Sequence, residues 1–166
     1  MAVNSLVKQL IKESENAMAS VVSAGILGDC STYVDTGSYS LNALLSGSLY
    51  GGVPSNKITC LAGQESVGKT FFALSIAKNF LDNNKDGIIL YFESEGALTK
   101  EMITDRGLDP NRFIVFPVAT VEEFRTQCIK VIEGVPKDHK VMIFLDSLGN
   151  LSTKKEMEDS ASGSDK

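Results

Sequence analysis

The stretch Gly63-Gln64-Glu65-Ser66-Val67-Gly68-Lys69-Thr70 decides the fold, because it matches G-x-x-x-x-G-K-[ST] at every required position. Glycines at both ends allow the backbone to curl with its N–H groups inward, as a cradle for an anion. Lys69 is then expected to reach the β- and γ-phosphates of a nucleotide, and the Thr70 hydroxyl to bind Mg²⁺. The alternative is a glycine-rich turn with a solvated lysine. The whole stretch from Gly63 to Thr70 is therefore predicted to bind a nucleoside triphosphate.

The sequence on both sides of this loop supplies the context that the motif needs. An apolar run at 58–62 predicts a strand before the loop, and residues 71–81 predict a buried helix after it. The same reading gives strands at 88–92, 114–116 and 141–145, and helices at 99–106 and 121–131, the second opened by a Thr120–Glu123 capping box. Continuous apolar strands that alternate with helices predict a doubly wound α/β fold, a sheet covered on both faces.

The remaining regions carry weaker patterns. Residues 3–24 have helical spacing with one apolar stripe, which is either core or a docking face for a neighbouring subunit. A short helix is predicted at 41–45, and the glycines of 46–55 predict an exposed turn. We divide the chain into an N-terminal helical segment (1–30), a nucleotide-binding core (31–153) and a polar, loose tail (154–166).

Three carboxylates are candidates for chemistry beside the phosphates. Asp146 ends the 141–145 strand, so it faces the crevice where α/β sheets bind ligands and is predicted to hold Mg²⁺. Glu93 and Glu95 follow the 88–92 strand, and residues two apart in extended chain share a face. One of them is placed to polarise a water for attack on the γ-phosphate. The other interpretation is a pair of exposed turn carboxylates.

Composition excludes several classes of protein. In 166 residues there are 16 Lys and Arg against 21 Asp and Glu, a net charge of −5, which excludes a histone-like binder of polyanions. No apolar run spans a bilayer and no export signal begins the sequence, so we expect an intracellular protein. Three unpaired cysteines and the lone His139 argue against a zinc site and against a Ser/His/Asp hydrolase. Asn84-Lys85-Asp86 lacks the guanine-reading spacing, which disfavours a GTPase.

Beyond the phosphate loop, a series of short strings resembles the RecA-type recombinases in content and order. The strings lie at 36–38, 51–54, 93–98, 106–109 and 145–148. Residues 146–151 with Lys154-Lys155-Glu156 look most like the bacteriophage UvsX-like branch. The resemblance covers nearly the whole chain from about residue 30, and implies a P-loop NTPase with a RecA-like, mostly parallel sheet flanked by helices.

The resemblance also implies roles and partners. Glu95 would be the catalytic carboxylate, Lys69 and Thr70 would bind phosphate and Mg²⁺, and Asp146 would be the second metal residue. Such proteins bind ATP, form helical filaments on single-stranded DNA, and drive strand exchange in recombination and repair. Self-association, single-stranded DNA, and ssDNA-binding and mediator proteins are therefore the expected partners, in the cytoplasm of the host cell if the source is viral. The N-terminal helix would be a subunit-docking element.

Two departures from the family pattern shape what we expect of this chain. Met102 stands where many relatives stack an aromatic ring on adenine, so Met102 is the candidate base contact. The likeness also stops near residues 155–159, before the family's DNA-contacting loops, so the sheet is expected to be incomplete at its C-terminal end. We expect the N-terminal half of a recombinase that alone binds ATP weakly, hydrolyses it slowly and fails at strand exchange. The alternatives are a RecA-fold hexameric helicase-type ATPase and a truncated, non-catalytic subunit that modulates filaments.

Overall fold

The computed structural model describes residues 4–26 and 28–163. In chain order its helices and strands are α1 (Ser5–Glu13), β1 (Tyr33–Val34), α2 (Tyr39–Ser46), β2 (Val53–Pro54), α3 (Lys69–Asn83), β3 (Ile88–Glu93), α4 (Lys100–Thr104), β4 (Phe113–Pro117), α5 (Val121–Glu133), β5 (Val141–Asp146) and α6 (Lys154–Ser162). The chain divides into two compact units, the first made of residues 1–34 and 39–60 and the second of 35–38 and 61–166.

In the first unit, the exposed turn predicted at 46–55 is confirmed for residues 47–50 alone. Val53 and Pro54 form β2 and pair antiparallel with β1, and Gly51, Gly52 and Val53 are buried. Gly52 has φ +130°, and a Cβ there would lie 2.1 Å from the Val34 carbonyl oxygen, so only glycine allows this approach. The buried Asn42 fixes the region by donating to the Leu49 carbonyl at 3.0 Å.

The N-terminal helix is shorter than the apolar stripe predicts. Helix α1 ends at Glu13, where the Ser14 hydroxyl donates to the Ile11 carbonyl at 2.7 Å. Glu15 has φ +51°, and the Asn16 side chain accepts from the Met18 N–H at 3.0 Å. Short polar side chains that bond the nearby backbone compete with helix formation, which explains the early end. Residue 3, part of the predicted helix, lies outside the described residues.

The second unit is built on a parallel sheet of three strands in the order β4-β3-β5. Leu90 and Phe92 of β3 form a core with Val118, against which the α5 residues Phe124, Cys128 and Val131 pack. Helix α3 contacts β3 and β5 and buries Leu74, Ile76, Ala77, Phe80 and Leu81. The predicted mixed α/β class, with a parallel sheet and flanking helices, is confirmed.

The predicted strand at 58–62 is wrong. These residues form neither strand nor helix, and the Ile58 side chain is fully exposed. A strand needs a partner for its N–H and C=O groups, and residues 58–62 pair with no strand of the described chain. Strand β5 accordingly remains an edge strand of the sheet β4-β3-β5. An apolar run of five residues therefore did not suffice to form a strand.

Helices α3 and α6 both depart from the sequence prediction. Helix α3 begins two residues earlier than predicted, and its Phe71 and Phe72 are 55% and 42% exposed, so it is not buried all round. In the region predicted as a loose tail, residues Lys154–Ser162 form α6, which opens with a capping box of Thr153 and Glu156. Residues 164–166 of that tail lie outside the described residues.

The capping box predicted at the start of α5 is confirmed. The Thr120 hydroxyl accepts from the Glu123 N–H at 3.1 Å, and the Glu123 carboxylate accepts from the N–H groups of Ala119 at 3.0 Å and Thr120 at 3.3 Å. These backbone bonds, that from Ala119 first, hold the pKa of Glu123 below its ordinary value. The stabilisation by Glu123 is therefore complete above the ordinary glutamate pKa and is lost as the pH falls through the lowered one.

We expect Thr120→Ala to lower the free energy of unfolding by about 1 kcal/mol, because the first turn of α5 loses its side-chain acceptor. Urea titration followed by circular dichroism measures the change. Thr126→Ala is the matched control, since Thr126 is exposed on the same helix and caps nothing. Equal losses in the two variants would contradict a capping role.

Candidate functional site

The loop of residues 63–68 leads directly into α3 at Lys69. Gly68 has φ +93°, a left-handed conformation that L side chains rarely adopt, and Ser66 has φ +61°. The first backbone bond of the helix runs from the Phe72 N–H to the Gly68 carbonyl at 3.0 Å. The N–H groups of the first turn therefore lack intrahelical acceptors, and with the helix dipole they favour an anion at this end.

Lys69 folds back over the same loop. Its ammonium donates to the Gly63 carbonyl at 3.0 Å and to the Gln64 carbonyl at 2.8 Å. Residues 63–67 are exposed and Lys69 is half-buried, so the loop itself is open to solvent. The positive charge and the first turn of α3 thus lie at one end of the second unit, an arrangement that suits phosphate groups.

Thr70 and Asp146 meet although 76 residues separate them. The Thr70 hydroxyl donates to Asp146 Oδ2 at 2.7 Å. Asp146 lies at the carboxyl end of β5, opposite Glu93 in the register of β3 and β5. A hydroxyl and a carboxylate are hard oxygen ligands of the kind that Mg²⁺ takes from proteins, usually with phosphates and waters completing the shell. These residues fit a magnesium–nucleotide site.

A third hydroxyl belongs to this cluster. The Tyr91 hydroxyl donates to the same oxygen, Asp146 Oδ2, at 2.7 Å. Burial and then the hydrogen bond to Asp146 raise the pKa of Tyr91 far above its ordinary value, so the phenol is a stable donor. Tyr91 was not predicted to belong to the site, because in the sequence it is only one residue of an apolar strand.

The two glutamates after β3 have different surroundings, so they do not form a pair. Glu93 is 8% exposed, and its Oε1 accepts from the Ala97 N–H at 2.8 Å. Glu95 is exposed, and its Oε1 accepts from the Ser147 hydroxyl at 2.9 Å and from the Asn150 amide at 2.8 Å. The side chains of Glu93 and Glu95 do not share the predicted face, because strand β3 ends at Glu93. Of the two, only Glu95 offers a carboxylate oxygen to solvent.

Ser94 joins the end of β3 to the residue after Asp146. The Ser94 hydroxyl donates to the Ser147 carbonyl and accepts from the Ser147 N–H, both at 2.9 Å. The Ser94 N–H donates to the Asp146 carbonyl at 3.0 Å. The sequence signal for Ser147 and Asn150 was present, since both lie in the 146–151 string, but nothing in that string indicated their bonds to Glu95.

Met102 lies half-buried on the short helix α4. Its carbonyl accepts from Arg106 Nη1 at 2.9 Å, and the Arg106 guanidinium lies 5.1 Å from the centre of the exposed Phe71 ring. Arg106 thereby connects Met102 to the first turn of α3. Neither Phe71 nor Arg106 was predicted from the sequence to be part of the site.

Within the described ranges, the chain has neither a membrane-spanning helix nor a metal-binding cluster of side chains. No helix in residues 4–26 and 28–163 is long and apolar enough to cross a membrane. The same residues contain no cluster of three or more His, Cys, Asp or Glu that could hold a metal.

Comparison with known proteins shows which family and which proteins this chain resembles. The family described as RecA N-terminal domain matches residues 2–165. The Recombination and repair protein of Enterobacteria phage T4 is 32% identical over 154 residues, 93% of this chain and 39% of that protein. Protein RecA of Mycoplasma genitalium is 32% identical over 126 residues, 75% of this chain and 34% of that protein. Protein RecA of Petrotoga mobilis is 28% identical over 154 residues, 92% of this chain and 39% of that protein. The chain thus spans less than half the length of these relatives.

Proposed function

Because the chain belongs to the RecA family, as its motifs predict, we propose that it is the ATP-binding part of a DNA-dependent ATPase that acts in recombination and repair. The observation that supports this most is the hydrogen bond between Thr70 and Asp146 beside the N-terminus of α3. It joins the end of a phosphate-loop motif to the acid at the end of a buried strand. That combination is the one an enzyme needs to hold a magnesium–triphosphate complex.

In this proposal each residue of the loop has a task in binding. The backbone N–H groups of residues 63–70 surround the phosphates, and Lys69 exchanges its bonds to Gly63 and Gln64 for phosphate oxygens. Thr70 and Asp146 would hold Mg²⁺, which would supply positive charge to neutralise the phosphates. Met102 is the candidate contact for the adenine, through its polarisable thioether.

Glu95 is our candidate general base. Ser147 and Asn150 both donate to its Oε1, and Oε2 accepts no hydrogen bond within the described chain. Oε2 can therefore take a proton from a water that attacks the γ-phosphate, while the two donors hold the carboxylate in place. Glu93 is assigned a structural role, because its carboxylate is buried and bonded to the Ala97 N–H.

The partners follow from the relatives and are part of the proposal. The T4 relative is named a recombination and repair protein, and the others are named RecA. We propose that the complete protein forms a filament on single-stranded DNA with ssDNA-binding and mediator proteins, in the cytoplasm. With a net charge of −5, the chain itself is expected to contribute little DNA contact.

The segment 1–30 is proposed to dock subunits, since Leu6 and Leu10 of α1 are 57% and 54% exposed. Residues 31–153 would form the nucleotide-binding core.

We expect Lys69→Ala to weaken ATP binding in the presence of Mg²⁺ by roughly tenfold or more, because a charge-assisted bond to phosphate is worth about 1.5–3 kcal/mol. Isothermal titration calorimetry of the full 166-residue chain measures the affinity. Lys85→Ala is the matched control, since Lys85 is an exposed lysine in the turn after α3. No heat from the unmodified chain, or equal affinities for all three proteins, would refute nucleotide binding at this loop.

A further inference from the structure

We propose that Tyr91 is a positioning residue for the metal site, holding the Asp146 carboxylate in the orientation that binds Mg²⁺. The inference rests on the proposed function, because it concerns how that site binds its metal. The Tyr91 hydroxyl donates to Asp146 Oδ2 at 2.7 Å from the neighbouring strand. Neither the loop motif nor the acid at the end of β5 requires a tyrosine here, so the contact is an addition to them.

The phenol ring has no freedom to move away. Tyr91 is 0% exposed and lies on β3, the middle strand of the sheet. Its ring stacks on Phe144 with centroids 5.6 Å apart and an interplanar angle of 22°. It also stacks on Phe113 with centroids 5.4 Å apart and an angle of 29°. A ring packed between two others fixes the position of its hydroxyl, as close-packed interiors do in general.

The hydrogen bonds distinguish the two oxygens of the carboxylate. Oδ2 accepts from both Thr70 and Tyr91, whereas Oδ1 accepts from no group in residues 4–26 and 28–163. Rotating the carboxylate would break both hydroxyl bonds at once. Oδ1 is therefore the oxygen left for a metal ion or a metal-bound water, and its direction is set before the metal arrives.

Thr70 by itself cannot fix the orientation of the Asp146 carboxylate. In the proposed function its hydroxyl oxygen also binds the metal, and it belongs to the first turn of α3, beside an exposed loop. Tyr91 anchors the carboxylate to the sheet instead. Partners that orient a metal-binding carboxylate raise metal affinity, and their removal typically costs about 10–100-fold.

The test compares Tyr91→Phe with the unmodified chain, because phenylalanine keeps the stacked ring and removes only the hydroxyl. The probe is Mn²⁺, titrated into the chain saturated with ADP and followed by electron paramagnetic resonance. We expect Mn²⁺ affinity to fall by about tenfold. The affinity for ADP measured in EDTA should stay within about twofold, since Tyr91 acts only through the metal residue. Tyr50→Phe, a tyrosine that is 85% exposed, is the control and should change neither affinity.

Adding Tyr91→Phe to the variant Asp146→Asn distinguishes a positioning role of Tyr91 from a role in folding. In Asp146→Asn the hydroxyl of Tyr91 no longer orients a carboxylate, so adding Tyr91→Phe should lower Mn²⁺ affinity no further. Equal Mn²⁺ affinity in Tyr91→Phe and the unmodified chain would overturn the proposal, as would a parallel loss of ADP binding in EDTA, which would assign Tyr91 a folding role. Failure of the unmodified chain to bind ADP at all would instead refute the proposed function.

Discussion

Glu95→Gln is expected to lower the rate of ATP hydrolysis by about 100-fold or more, the usual contribution of a positioned general base. Glutamine keeps the size of the side chain and still accepts from Ser147 and Asn150 through its carbonyl oxygen, so the geometry at the end of β3 should persist. What it loses is the oxygen that takes a proton. Single-turnover hydrolysis of ATP with the chain in excess is the appropriate measurement, because it separates the chemical step from product release.

Two comparisons make the Glu95 experiment specific. ATP affinity in Glu95→Gln should match that of the unmodified chain, since Glu95 bonds to Ser147 and Asn150 and not to the phosphate loop. Glu101→Gln is the matched control, because Glu101 is an exposed glutamate on α4. If Glu95→Gln hydrolysed ATP as fast as Glu101→Gln, Glu95 would not be the base.

Phe92→Ala is expected to have the largest effect on stability, a loss of about 3–5 kcal/mol in the free energy of unfolding. Phe92 is 0% exposed and lies in the core between β3 and α5. Its ring stacks on Phe116 with centroids 4.8 Å apart and meets Phe124 edge-on at 5.0 Å. Removing the ring leaves a cavity that the two other rings and the flanking strands cannot fill without moving. Urea denaturation monitored by circular dichroism gives the change.

The control for Phe92 uses the same substitution at a more accessible ring. Phe72 on α3 is 42% exposed and touches Phe71 edge-on with centroids 6.4 Å apart. Because less of its surface leaves water on folding, Phe72→Ala should cost less than half as much as Phe92→Ala. Comparable losses would mean that the core between β3 and α5 is not the main source of stability in the second unit.

Elements whose evidence lies within their own residues were predictable. Helix α3, strands β3 and β5 and the capping box of α5 each show their periodicity or cap in a short window, and all four occur in the structure. The 58–62 strand failed because its existence depends on a partner strand, which a window of five residues does not contain. Strand β2 was missed for a related reason, since Gly52, the residue before it, is there for close contact with the Val34 carbonyl and not for a turn.

The residues of the candidate site also fall into those that the sequence predicted and those that it did not. The loop motif and the acid after β5 were visible as patterns, and the structure brings Thr70 and Asp146 to 2.7 Å. Tyr91, Ser147 and Asn150 were not singled out for the site, because their importance lies in a hydrogen bond to a residue on another element. Arg112 is a similar case outside the site, where its guanidinium donates to three carbonyls at the C-terminal end of α3, those of Leu81, Asn84 and Lys85.

By itself the sequence determined the family, the mixed α/β class and the loop on which the proposed chemistry depends, because each of these is encoded in local spacing of glycine, apolar and charged residues. Only the tertiary structure decided which glutamate faces solvent, which oxygen of Asp146 is held, and that residues 58–62 form no strand. Those outcomes depend on the register of β3 against β5 and on which strand lies beside another. Register and adjacency arise from contacts between residues far apart in the chain, so no local pattern carries them.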